Sequence, residues 1–146
     1  MSVAVRAEGV RYPTRTLRAD GVCLLRTLGR PKAELSVMLC DDAFIRDLNL
    51  QWRQKDAPTD VLSFPMGDDQ LLGDVVISLE TAERQAQSLG HDLQTEVRVP
   101  LVHGLLHLCG HDHEEPGQDT VMAAEENRLL AALGVEPLGL VARACI

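Results

Sequence analysis

Apolar residues recur along this chain with two periods, and the switches between them mark its elements. Val3–Ala7 (VAVRA) alternates and predicts a short strand. Leu17, Leu24, Leu25 and Leu28 fall near one face of a helix over 16–28, ended by Gly29 and Pro31. Glu34–Cys40 (ELSVMLC) alternates loosely and predicts a second strand. Asp41 and Asp42 suit a helix start, and Phe44, Leu48 and Trp52 at four-residue spacing give a helix of roughly 42–53. A turn-rich loop, DAPTD at 56–60, leads to a strand at 61–64 (VLSF) closed by Pro65. Gly67-Asp68-Asp69 is a turn, so the strand after it, 73–78 (GDVVIS), pairs with 61–64 as a hairpin.

Helices dominate the second half. Ser78 caps a helix with Leu79, Ala82, Ala86 and Leu89 on one face, ended by Gly90. The stretch 93–109 is helical but contains Pro100, which removes a hydrogen bond to Glu96 and predicts a kink or a second helix start. Gly110 stops it, and a last helix covers about 120–133 with Gly134 after it. Strands interleaved with helices early and helices alone late predict an α+β fold, a small sheet with helices packed against it.

Length adds that 146 residues, read here as one domain over 1–146, suffice for a real core. Aromatic residues are only 3%, so that core is built from Leu, Val, Ala and Ile. No apolar run approaches the ~18–20 residues that span a bilayer, and the first residues lack the pattern of a signal peptide. The four cysteines (Cys23, Cys40, Cys109 and Cys145) are scattered, with no CxxC, which argues against a disulfide framework or a cysteine zinc site. They read as reduced thiols of a cytoplasmic protein, with Cys40 and Cys109 as small buried apolar residues.

Charge changes the picture more. The net charge is −8, yet residues 1–32 carry six Arg and Lys32 against Glu8 and Asp20, a net of +5, and the remainder carries −13. An acidic protein is repelled by nucleic acid, but a basic segment forms a local phosphate-attracting face if it borders the site.

The candidate chemistry is concentrated in HGLLHLCGHDH at 103–113, which holds four of the five histidines. His103 and His107 are i and i+4, so a helix puts both imidazoles on one face, at a spacing that meets one zinc ion. Gly110 permits a left-handed turn that returns a histidine from the following loop to the same ion. Three histidines and a water make a catalytic-type zinc site. Zinc-peptidase helices read H-E-x-x-H, with glutamate as general base; here that position is Gly104. Asp112, Glu114 and Glu125 are nearby candidates for proton handling, with Asp112 equally suited to orienting an imidazole.

This segment resembles the H-G-x-x-H-x-x-G-Y-D-H signature of the YbeY family of zinc-dependent ribosomal RNA maturation endoribonucleases. A second block, NLQWRQKDAPTDVLSFP at 49–65, is similar to that family's motif, as is a third, LGDVVIS at 72–78. The resemblance implies a four-stranded mixed sheet with the metal site at the end of a central helix, and one zinc per chain on His103, His107 and His113. It implies single-strand-specific hydrolysis of RNA in 16S ribosomal RNA 3′-end maturation and ribosome quality control. The implied partners are ribosomal RNA, the small ribosomal subunit and a ribosomal protein or assembly GTPase, with no membrane.

His111 stands where the family has Tyr. With Gly110 just past the helix, His111 takes the next position, where a side chain packs back on Leu106, leaving His113 as the third ligand. Arg53 and His103 are the candidate catalytic residues. Arg53 is also the candidate substrate contact, since its planar fork matches phosphate oxygens. Its structural alternative is a salt bridge to Asp56 or Asp60, and Asp60 is equally suited to a turn. Two other classes compete with the endoribonuclease reading: a zinc-dependent peptidase or other hydrolase, and a non-catalytic, zinc-stabilised ribosome-assembly factor.

Overall fold

The computed structural model describes residues 3–68, 70–111 and 118–135. In chain order the elements are β1 (Val3–Ala7), α1 (Thr14–Thr27), β2 (Glu34–Cys40), α2 (Asp42–Arg53), β3 (Val61–Pro65), β4 (Leu71–Ser78), α3 (Leu79–Leu89), α4 (Leu93–Leu108) and α5 (Gln118–Ala132). The sheet order is β1-β2-β4-β3. β1, β2 and β4 run parallel, with Val5 opposite Val37 and Val37 opposite Val75. β3 closes one edge as the antiparallel arm of the expected hairpin, with Leu62 opposite Val76. The fold is therefore α+β on a four-stranded mixed sheet.

The two-residue period of the strands sorts side chains into two cores of unequal size. Leu35, Val37 and Leu39 of β2 and Val75 and Ile77 of β4 face the main core, shared with α1, α4 and α5. The opposite face holds a small cluster of Cys40, Ile45, Leu62 and Val76, covered by α2. Cys40 is fully buried, and that burial pushes its thiol up to about 12. Cys109 is half-buried, and Cys145 lies outside the described residues.

The stripe that marks α2 in the sequence is not the one it buries. Phe44 and Trp52 are exposed, while Ile45 and Asn49 point inward. Asn49 is tolerated there because its side-chain amide donates to the Ala57 carbonyl at 2.8 Å, which ties the α2–β3 loop to the helix. At its other end, α2 is held by Asp42, which accepts from the Ser78 hydroxyl (2.6 Å) and the Thr81 hydroxyl (2.7 Å) and pairs with Arg84 (2.8 Å).

Of the two outcomes expected at Pro100, a second helix start does not occur. α4 runs as one helix through this buried proline. A mid-helix proline costs roughly 3 kcal/mol. Burial of Val97, Val99, Leu101, Val102, Leu105 and Leu106 on either side offsets it. Arg98 on the same helix makes a two-pronged ion pair with Asp20 of α1 (3.0 and 3.2 Å). α4 is thus fixed against both the sheet and its helical neighbour, and it is the element that carries the site.

Candidate metal centre and its cleft

Between the two histidines of α4 lies one residue that has to be small, Gly104. Gly104 faces the sheet, where an added Cβ would stand 2.7 Å from Cγ1 of Val75 and 3.1 Å from Cγ2 of Val61. The Ser63 hydroxyl also donates to its carbonyl at 3.2 Å. The helix therefore lies close against β3 and β4. The glutamate that a zinc-peptidase helix needs here has no room, which removes the structural basis of the peptidase alternative.

The same close approach turns His103 and His107 into a cleft of about 700 Å³, shared with Arg53, Asp60 and His111. The imidazole rings lie 4.7 Å apart with planes inclined by 69°, and their Nε2 atoms face each other at 3.1 Å. Two nitrogens bound tetrahedrally to one zinc ion at about 2.0–2.1 Å stand roughly 3.3 Å apart, so the pair fits such an ion with little adjustment. Nδ1 of His103 faces Oε1 of Glu126 at 3.1 Å. A carboxylate accepting the Nδ1 proton leaves Nε2 with its lone pair directed at the metal position and raises its basicity.

The sequence reading missed Glu126. Glu125, named instead, is committed to Arg128 at 2.8 Å. Glu126 is twenty-three residues from His103 in the chain and meets it only because α5 packs across α4. No local spacing signals such a contact.

α4 ends as expected. Gly110 has φ +95°, its N–H donates to the His107 carbonyl at 3.0 Å, and the His111 N–H donates to the Leu106 carbonyl at 3.0 Å. His111 is half-buried and lines the cleft, yet among the described residues no three His, Cys, Asp or Glu side chains form a ligand group. His113, the expected third ligand, lies outside the described residues, as do Asp112 and Glu114.

Arg53 reaches the cleft from the last residue of α2, which Gln54 ends in a left-handed conformation with φ +59°. Asp56, one of its expected ion-pair partners, is taken by Arg46 at 2.6 Å. The other, Asp60, lines the same cleft and accepts a hydrogen bond from the Thr59 hydroxyl at 3.4 Å. Among the described residues Arg53 makes no ion pair, so its guanidinium remains available to an anionic ligand. The basic N-terminal segment does not border the cleft. It forms β1 and α1, at the sheet edge opposite β3, and none of residues 3–32 lines the cleft. The condition under which it would offset the acidic body at the site is therefore not met among the described residues.

An α+β frame that presents a histidine pair at metal-ligand spacing and, among the described residues, an arginine without an ion pair to one polar cleft fits the metal-dependent hydrolases as a class. The chain belongs to the endoribonuclease YbeY family, whose model matches residues 21–134. It is similar to the endoribonuclease YbeY of Aquifex aeolicus (strain VF5), with 48% identity over 134 residues, covering 85% of this chain and 89% of that one. It is also similar to that of Anaeromyxobacter dehalogenans (strain 2CP-C), with 51% identity over 132 residues, covering 88% and 68%. The solution structure of TM1509 from Thermotoga maritima shares the fold, with a TM-score of 0.62 and 23% identity over 90% of this chain and 91% of that one.

Proposed function

We propose that this chain is a metal-dependent endoribonuclease that cleaves single-stranded RNA, with residues 1–146 as one catalytic domain and zinc as its metal. One observation carries the reading: the Nε2 atoms of His103 and His107 converge in the cleft that also receives Arg53, which makes no ion pair among the described residues. A zinc ion there supplies a Lewis acid that polarises a phosphoryl oxygen and acidifies water. His103 and His107 hold it, with His113 as the third ligand, and Glu126 keeps His103 in the tautomer that ligation needs. Arg53 binds two oxygens of the scissile phosphate and offsets the charge that develops on them.

The family resemblance supports the 3′ end of 16S ribosomal RNA as substrate and the small ribosomal subunit as its setting, with a ribosomal protein or assembly GTPase as partner. No helix among the described residues is long and apolar enough to cross a membrane. The family resemblance supports the cytoplasm as the protein's location.

The test is cleavage of a single-stranded RNA and of a 16S precursor by protein stripped of metal and reloaded with zinc, beside a His107→Ala control. The reading predicts cleavage that is lost on stripping, restored by zinc and absent in His107→Ala. Cleavage that survives in the variant would assign the activity to another site or to a contaminant.

A further inference from the structure

Trp52 is the chain's only tryptophan, and at 63% exposure it is the most exposed large apolar side chain among the described residues. Single exposed apolar residues need no explanation. The seat of this one does. It precedes Arg53 in the last turn of α2 and rests edge-on against Phe64 of β3, with ring centroids 6.2 Å apart and planes inclined by 72°. Phe64 is anchored in turn against the small cluster of Ile45, Leu62 and Val76. The residues that follow the two rings in sequence, Arg53 and Pro65, both line the cleft. An aromatic step with one supported and mostly uncovered ring thus adjoins the rim of the phosphate site.

We propose that Trp52, braced by Phe64, is the stacking platform for the base next to the phosphate held by Arg53. Consecutive Cα atoms are about 3.8 Å apart, so Trp52 and Arg53 can engage base and phosphate of the same or the adjoining nucleotide. Every base has a π-face, so the platform is tolerant of sequence, but it needs an unstacked base and so selects unpaired RNA. The neighbouring charges favour an anionic strand over a protein partner. Arg53 and Lys55 make no ion pair among the described residues, and Asp56 is neutralised by Arg46. This inference rests on the endoribonuclease reading and identifies the contact that makes it single-strand-specific.

A single tryptophan makes the test direct. Metal-loaded protein is mixed rapidly with a single-stranded RNA, and tryptophan fluorescence is followed before cleavage, with fluorescence anisotropy of labelled RNA reporting binding. The proposal predicts quenching that saturates with binding and is lost when the flanking nucleotide is abasic. Trp52→Leu raises KM by about tenfold or more, on the scale of one stacked base, with kcat within about threefold of wild type. Trp52→Phe restores most of that loss, while metal content and melting temperature stay unchanged in both variants. RNA that binds and is cleaved without quenching, or an unchanged KM in Trp52→Leu, overturns the platform and leaves the endoribonuclease reading standing. RNA that is neither bound nor cleaved overturns both. If Trp52→Leu fails to fold, the wild-type quench and its abasic control decide alone, and quenching by a protein partner but not by RNA counts against the proposal.

Discussion

Nδ1 of His103 lies 3.1 Å from Oε1 of Glu126, a mostly buried carboxylate brought from α5 to the side of the imidazole away from His107. Partners of this kind typically contribute ten- to a hundredfold in metal affinity, because they fix the ring and its tautomer. Glu126→Gln is therefore expected to weaken zinc binding by about that factor while leaving the fold intact. Competition with a chelator of known affinity measures it, and wild-type affinity in the variant would mean that His103 is oriented by other contacts.

Gly104→Ala tests the close approach of α4 to the sheet. The new methyl meets Cγ1 of Val75 at 2.7 Å, and valine has little rotamer freedom with which to yield. Overpacking of this size costs about 1–3 kcal/mol, read as a lower urea midpoint. A midpoint equal to wild type would show that the helix moves away freely.

Asp42 contributes a pH-dependent part of stability. Partial burial pushes its carboxyl up, but hydrogen bonds from Ser78, Thr81 and Arg84 outweigh that and hold it below the usual carboxylate range. A depressed folded value gives stability that is complete above the unfolded pKa, about 3.9, and is lost as pH falls through the folded value. Asp42→Asn is expected to cost about 1.5–3 kcal/mol at pH 7, the scale of hydrogen bonds to a charged group. Urea titrations from pH 7 downward should show the gap to wild type narrowing below about pH 4. A gap that stays constant with pH would assign the loss to packing.

The strand pattern was legible almost residue for residue. Val3–Ala7 and Glu34–Cys40 occupy the expected spans, because alternation is a local property and one face of each strand is buried. Boundaries moved where the cause was not local. β4 begins at Leu71 rather than Gly73 because its partner β2 extends the pairing to Glu34. At Pro100 no second helix starts, because tertiary burial outweighs a local penalty. At the site, the His103–His107 spacing was readable and Arg53 was found through its motif. The packing reason for Gly104 and the reach of Glu126 were not, since each depends on which element lies opposite.

Arg53 and the histidine pair are expected to serve one reaction on RNA within the cleft that they share. Single-turnover cleavage of a single-stranded RNA by Arg53→Lys and Arg53→Ala, with zinc content measured on the same samples, tests it most directly. Lysine keeps the charge but not the two-pronged geometry. The account predicts full zinc content in both variants and a loss of roughly a hundredfold or more in rate, on the scale of removing one transition-state donor. Full zinc content with wild-type cleavage in Arg53→Ala would contradict it.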